Sequence, residues 1–244
     1  MAAVLQEPAS AGRPAPAATP NGRGVTVVGD CKQVTVPPWV VDLASFRRWM
    51  DSDDVPEKLR IWYLKGEVWI DMSKEQIFSH LVLKNEIFYV LTGLVKAGRL
   101  GLFLPDGLLL SNVTADISGN PDATFISNAA LDSNRVRLIE GKEHGYVEVE
   151  GSPDMVLEVV SDSSTRKDLV VLRQAYGEAG VREYWLVDAR REPLTFDILR
   201  RTAKGYAATR KQDGWLKSVV FGKSFRLTQR TNARKHPEFT LEVR

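Results

Sequence analysis

Carboxylate side chains stand in two apolar stretches of the sequence, where they need a chemical explanation. The stretch GSPDMVLEVVSDSS, residues 151 to 164, has one acid, Glu158, within a run of residues typical of a buried strand. An unpaired carboxylate in such surroundings costs several kcal/mol. Glu158 is therefore expected to be protonated, paired with a cation or bound to a metal ion.

The spacing of the acids is compatible with the third of these explanations. Side chains alternate between the two faces of a strand, so Asp154 and Glu158 are predicted to share one face. The earlier stretch NPDATFIS has the same Pro-Asp opening, and pairing of the two strands would bring Asp122 near Glu158. Carboxylate oxygens are the ligands that Mg²⁺ prefers, often together with a substrate phosphate. Such a site suits hydrolysis of phosphodiester bonds.

The elements that must position these acids can be predicted from hydrophobic periodicity. A helix is expected from about Glu75 to Ala97, and RIWYLKGEVWIDMS is expected to form two strands joined at Lys65-Gly66. Around Glu158, a strand, a helix from Thr165 to Gly180 and the strand REYWLVD form a βαβ unit with parallel strands. The pattern predicts an α/β fold.

Composition limits the other possibilities. The 33 basic residues face 31 acidic ones, so charge alone does not predict nucleic-acid binding, and the single cysteine excludes an intramolecular disulfide. Residues 1–24, rich in Ala, Pro and Gly, are expected to form a disordered tail, and residues 25–244 a single domain. No apolar run is long enough to span a bilayer. We therefore expect a cytoplasmic location and no membrane partner.

The segments PDATFIS, SPDMVLEVVSDSSTRKD and AYGEAGVREYWLVDAR together resemble the Uma-type putative restriction endonuclease family, a branch of the PD-(D/E)xK nuclease superfamily. The resemblance extends over about residues 40 to 225. It implies a restriction-endonuclease-like mixed β-sheet flanked by helices, a DNA substrate, and cutting that depends on Mg²⁺ or Mn²⁺. By position, Asp122 and Glu158 become metal ligands and Asp154 an assisting catalytic residue. Restriction-like enzymes often work as dimers, so a homodimer is also implied.

The sequence departs from the superfamily pattern at its lysine. The position two residues after the Glu is Val160, and the position used in this branch on the following helix is Leu172. Arg173 and Lys167 are candidate replacements that would face the phosphate. Arginine can stabilise negative charge, but its pKa above about 12 prevents it from acting as a general base.

Three other interpretations stay open at the level of sequence. Glu158 can be a structural acid paired with Arg173 or Lys167. The chain can be a catalytically impaired nuclease-fold module that binds DNA or a protein partner. It can also be an acid/base hydrolase of small substrates using Glu158 and Asp154, although the Cα atoms of residues four apart on a strand are about 13 Å apart, which is wide for a catalytic pair.

Overall fold

The computed structural model describes residues 2–4, 25–29, 32–55, 59–71, 75–142 and 144–244, and these ranges contain four α-helices, two π-helical segments and eighteen strands. The α-helices are α1 Leu43–Met50, α2 Leu83–Gly98, α3 Asn128–Asp132 and α4 Leu172–Glu178. The π-helical segments Ile77–Val82 and Lys167–Val171 lead directly into α2 and α4. The strands are, in chain order, β1 Ala2–Val4, β2 Val25–Gly29, β3 Lys32–Val36, β4 Arg60–Leu64, β5 Glu67–Asp71, β6 Gly101–Pro105, β7 Leu109–Asn112, β8 Ile117–Gly119, β9 Ala123–Ser127, β10 Val136–Glu140, β11 Tyr146–Gly151, β12 Met155–Val159, β13 Glu183–Asp188, β14 Thr195–Thr202, β15 Gly205–Ala208, β16 Leu216–Lys217, β17 Ser224–Thr231 and β18 Pro237–Val243.

A six-stranded mixed sheet in the order β15-β14-β13-β12-β9-β6 carries the strand of Glu158 at its centre. Strands β12 and β13 are parallel, as the βαβ pattern predicts, and the other neighbours are antiparallel. Every residue of β12 is buried. Its even-numbered residues, such as Val156, face the apolar cluster under α4, whereas its odd-numbered residues face the cluster under α2. This double burial explains why β12 is a nearly continuous apolar run.

A seven-stranded mixed sheet in the order β1-β5-β4-β8-β7-β11-β10 contains the predicted hairpin of β4 and β5. Its turn is at Lys65 and Gly66, both with positive φ (51° and 90°), which is the conformation of a tight hairpin turn. Trp62 and Trp69 pack in the same apolar cluster as Tyr176 of α4. The two large sheets therefore share a core beside Glu158.

The smaller elements complete the fold. Strands β16, β17 and β18 form an antiparallel sheet whose Phe225 and Leu241 pack in the cluster that covers α2, and β2 pairs with β3. The predicted helix from Glu75 to Ala97 is observed as a π-helical segment followed by α2, which ends at Gly98. The α/β class with mixed sheets and flanking helices is confirmed.

Part of the predicted N-terminal tail lies outside the described residues. Residues 1 and 5–24 lie outside the described residues. Residues 2–4 of the predicted tail form β1, in which Ala3 pairs with Ile70 of β5. Within the described ranges, no helix has both the length and the apolar character needed to cross a membrane.

Candidate active site

Asp122 and Glu158 lie opposite each other where β9 begins and β12 ends. The antiparallel register pairs Val156 with Thr124 and Leu157 with Ala123, so its next step places Glu158 opposite Asp122. Directly opposed side chains of paired strands share a face and have Cβ atoms about 5 Å apart. The Val159 amide donates a hydrogen bond to Asp122 Oδ2 at 2.7 Å, which fixes this carboxylate at the end of the sheet.

Three basic side chains from distant segments surround the buried Asp122. Lys84 Nζ is 3.4 Å and Arg60 Nη1 is 3.3 Å from Asp122 Oδ1, while His80 Nε2 is 3.8 Å from Oδ2. Burial acts to raise the pKa of Asp122, but the charges of Lys84, His80 and Arg60 and the Val159 hydrogen bond outweigh it and hold the pKa below its usual value. Asp122 is therefore an anion in the folded protein.

The same basic residues connect Asp122 to the surface through two further acids. Lys84 Nζ contacts Asp106 Oδ2 at 2.7 Å and Glu75 Oε1 at 3.0 Å, and Arg60 is paired with both of these acids. Asp106 and Glu75 are partly exposed, whereas Lys84 is buried. The cations at Asp122 are thus held in place by carboxylates nearer to solvent.

Glu158 has a different electrostatic environment from Asp122. Burial raises its pKa well above the usual value, and the charges of Asp168 and Asp122 raise it further, against the opposing charge of Lys167. The Tyr176 hydroxyl donates a hydrogen bond to Glu158 Oε1 at 2.9 Å. With these neighbours alone, the side chain is driven towards its neutral form.

Lys167 is the cation beside Glu158, but its direct partner is Asp168. Its ammonium is 2.7 Å from Asp168 Oδ1 and lies 4.5 Å from the centre of the Trp62 ring. Burial acts to lower the pKa of Lys167, but the charges of Asp168 and Glu158 outweigh it and raise the pKa. Burial also raises the pKa of Asp168, whose second oxygen accepts a hydrogen bond from Ser164. Lys167 therefore stays charged in a site with two neighbouring acids.

Both π-helical segments supply residues of this site. His80 belongs to the segment before α2, and its Nε2 donates a hydrogen bond to the Val159 carbonyl at 3.0 Å. Lys167 and Asp168 begin the segment before α4. Single π-helical turns occur frequently at functional sites because they shift side chains out of the α-helical register. The regular helical spacing assumed from the sequence does not predict this shift.

Asp154 and Arg173, the other two predicted site residues, are not brought to Asp122 and Glu158. Asp154 lies at the opposite end of β12, where its carboxylate accepts the Ser127 amide at 2.8 Å and pairs with Arg135 at 2.6 Å and Arg182 at 3.1 Å. Arg173 is exposed on α4 and donates to the Tyr206 carbonyl at 3.2 Å. Of the two candidate replacements for the motif lysine, the structure brings Lys167 to the site.

The sequence interpretation missed Lys84, Arg60 and Asp168. Lys84 could have been found, because it is four residues before Phe88 and seven before Leu91 on the apolar face of α2 and is therefore a charge at a core position. Arg60 and Asp168 carry no comparable signal. Val160 and Leu172, the positions of the absent motif lysine, are both buried in the apolar cluster under α4.

The two opposed carboxylates fit a divalent ion by their chemistry. Their oxygens match the preference of Mg²⁺ and Mn²⁺, and a cation beside them would offset the burial and the charges of Asp168 and Asp122 that raise the pKa of Glu158. In the described part of the chain, no group of three or more His, Cys, Asp or Glu side chains is close enough to hold a metal. A metal ion held by Asp122 and Glu158 would therefore need water or phosphate oxygens for its remaining ligands.

A hollow of about 20 Å³ lies beside His80, Arg60, Glu75 and Ser161. That volume is about the size of one water molecule. A phosphate group would need the surface acids of the site, Glu75 and Asp106, to give up their contacts with Arg60 and Lys84.

The mixed sheets flanked by helices form a restriction-endonuclease-like fold. A crystal structure described as a putative nuclease belonging to DUF820, from Anabaena variabilis, superposes with a TM-score of 0.55 at 16% identity, covering 75% of this chain and 91% of that one. Residues 43–230 match the Uma2 family, whose description is "Putative restriction endonuclease". The chain belongs to the Uma2 family, as its sequence motifs indicated. No curated protein matches it.

Proposed function

We propose that this chain is a divalent-metal-dependent DNA endonuclease that hydrolyses phosphodiester bonds. The observation that carries the proposal is the placement of Asp122 and Glu158 opposite each other at the end of paired strands, with cations on both sides. Membership of a restriction endonuclease family supports the reaction class. DNA as the substrate, Mg²⁺ or Mn²⁺ as the cofactor and hydrolysis as the reaction are parts of the proposal.

In this proposal Asp122 and Glu158 hold the metal ion. The bound ion would activate water and neutralise charge on the scissile phosphate. Lys167, which stays charged, faces the developing negative charge from the side of Glu158. Lys84 and Arg60 hold Asp122 ionised. Their remaining N–H groups, which contact Glu75 and Asp106 in the structure, could donate hydrogen bonds to a phosphate instead.

The proposal is tested by metal titration together with DNA cleavage. Calorimetry with Mg²⁺ and Mn²⁺ should show binding to the wild type, and a supercoiled plasmid should be nicked only with the metal present. Asp122→Ala should abolish both signals. The matched control is Asp132→Ala, which removes an exposed carboxylate at the end of α3 and should leave both unchanged. A wild type that neither binds a divalent ion nor cuts DNA contradicts the proposal.

A second candidate function is a catalytically impaired nuclease-fold module that binds DNA or a protein. It is favoured by the apolar burial of Val160 and Leu172, which leaves neither motif position with a cation. It predicts DNA binding with no cleavage in Mg²⁺ or Mn²⁺, even at enzyme concentrations above those of the DNA. Cleavage that Asp122→Ala abolishes would rule it out. A cytoplasmic location and a homodimer stay predictions, to be checked by fractionation and by light scattering.

A further inference from the structure

A groove lined by basic side chains lies at the end of the six-stranded sheet away from Glu158. Two adjoining hollows of about 450 and 430 Å³ form it, and they share Arg200 and Val219 in their linings. The basic residues that line them are all exposed: Arg182, Arg200, Arg201, Arg210, Lys217 and Arg244. The groove thus concentrates positive charge in a protein whose formal net charge is only +2.

Carboxylates are absent from the lining of both hollows within the described residues. Arg200, Arg210 and Lys217 have no ion pair with any described residue. Arg182 extends from the groove towards Asp154, with which it is paired at 3.1 Å. The groove therefore presents cations whose charge is mostly uncompensated, and this arrangement favours an anionic ligand with several charges.

The floor of the groove is held rigidly by a buried acid. The Glu183 carboxylate accepts hydrogen bonds from the Val219 amide at 2.6 Å, the Ser218 hydroxyl at 2.6 Å and the Trp185 indole at 3.0 Å. Glu183 pairs with Arg200 in the register of β13 and β14. These hydrogen bonds tie the segment from Ser218 to Val220 to β13.

The aromatic residue of the groove is not free to stack with bases. Arg244 lies 4.2 Å and Arg226 4.7 Å from the centre of the Trp215 ring. Proteins that bind single strands by their bases combine charge with open aromatic platforms. This groove offers charge without such a platform, which favours contact with a phosphate backbone rather than with bases.

The groove is also within reach of the acids at the other end of the sheet. Glu183 is paired with Met155 and Leu186 with Glu158, and Arg200 of the groove lies on β14, two strands from β12. The three residue steps along the strand cover about 10 Å and the two strand spacings about 10 Å, which together make about 14 Å, or about four nucleotides at 3.4 Å per nucleotide. A single nucleic acid could contact both.

We propose that the groove defined by these six basic residues is a backbone-binding site for nucleic acid, separate from the acidic pair. This proposal deepens the function proposed above and rests on it for the identity of the polymer. It predicts binding that is independent of sequence and of metal, and that weakens steeply with salt.

The test uses the full chain and a labelled DNA duplex of about 20 base pairs in EDTA, with affinity measured by fluorescence anisotropy across salt concentrations. The test variant is Arg200→Ala/Lys217→Ala. Each phosphate contact contributes a slope of about −0.9 to log K against log salt, so the variant should have a slope less steep by about 1.8. Between 50 and 200 mM salt, the wild type should lose about 12-fold more affinity than this variant.

The matched control is Arg230→Ala/Arg234→Ala, which removes two exposed arginines outside the groove. It should keep the wild-type slope, and thermal melts should show that both variants are folded. Three results would overturn the proposal: a groove variant identical to wild type, an equal loss in both variants, or no binding by the wild type at low salt. Binding is measured in EDTA, where metal-dependent cleavage does not occur. A wild type that binds DNA in EDTA but does not cut it when Mg²⁺ or Mn²⁺ is added would count against the endonuclease proposal alone.

Discussion

Replacing Glu158 with Gln separates a metal ligand from a structural acid. Without metal, burial and the charges of Asp168 and Asp122 keep the pKa of Glu158 well above its usual 4.5. A raised pKa means that this group's contribution to stability is complete below the unfolded value and is lost as pH rises through the folded value. Each pH unit between the two values costs about 1.4 kcal/mol. The variant should escape this cost.

The contacts around Glu158 indicate that the variant folds. Gln keeps an oxygen that can accept the Tyr176 hydroxyl, and Lys167 keeps its ion pair with Asp168. Near neutral pH in EDTA, Glu158→Gln should therefore be at least as stable as wild type. At a Mg²⁺ concentration of 100 times Kd, the wild type should gain about 2.7 kcal/mol, or about 5 to 11 °C in melting temperature for a chain of this size. The variant should lose this gain.

Melting curves of both proteins in EDTA and in excess Mg²⁺, at several pH values, measure these effects. The control is Glu183→Gln, which changes a carboxylate that is as buried but is fully used by the Ser218 and Val219 donors. It should lose about 1 to 3 kcal/mol and keep the Mg²⁺ response. If Glu158→Gln instead loses about 3 to 5 kcal/mol, the cost of breaking a buried ion pair, and the wild type is indifferent to Mg²⁺, the metal-ligand reasoning is refuted.

Three further predictions concern the neighbouring charges. Asp154→Asn should cost about 1 to 3 kcal/mol in denaturant unfolding, because a buried carboxylate that accepts the Ser127 amide and pairs with the partly exposed Arg135 and Arg182 loses its charge. It should not change the Mg²⁺ response, and a lost response would instead place Asp154 at the metal. Arg173→Ala should change stability by less than about 0.5 kcal/mol and leave the rate of DNA cleavage unchanged. Lys167→Met should reduce the rate of DNA cleavage more than tenfold. Equal cleavage rates for the two variants would contradict the role of Lys167. The pKa of Asp122 is below its usual 3.8, so the stability that this carboxylate contributes is present above pH 3.8 and is lost on acidification. Lys84→Met should therefore reduce stability at pH 7 and have a smaller effect at pH 3. A loss of stability that is independent of pH would show that Lys84 acts by packing alone.

The βαβ unit illustrates how much of the fold was predictable from sequence. The buried run of β12, the helical spacing after Lys167 and the strand of Trp185 are local patterns with periods of about 2 and 3.6 residues. Their parallel arrangement follows from the crossover, and the structure confirms it. The sequence left open whether the strands that follow the two Pro-Asp pairs are neighbours, and the structure shows that they pair.

The partners of the acids were not predictable in the same way. Periodicity placed Asp154 and Glu158 on one face, but they lie at opposite ends of a five-residue strand. Arg135 and Arg182 form ion pairs with Asp154. An ion pair depends on which segments the topology brings together, and this information is not contained in the spacing within one segment.

The sequence by itself determined that Glu158 stands in a buried strand of a βαβ unit, because strand alternation and apolar burial are local properties of the chain. The tertiary structure alone decided which cations meet Asp122 and Glu158. Lys84 reaches Asp122 from 38 residues away and Arg60 from 62 residues away, and the π-helical segment before α4 turns Lys167 towards Glu158. Charges act through space over a few ångströms, so the protonation of Asp122 and Glu158 is set by neighbours that the folded chain assembles.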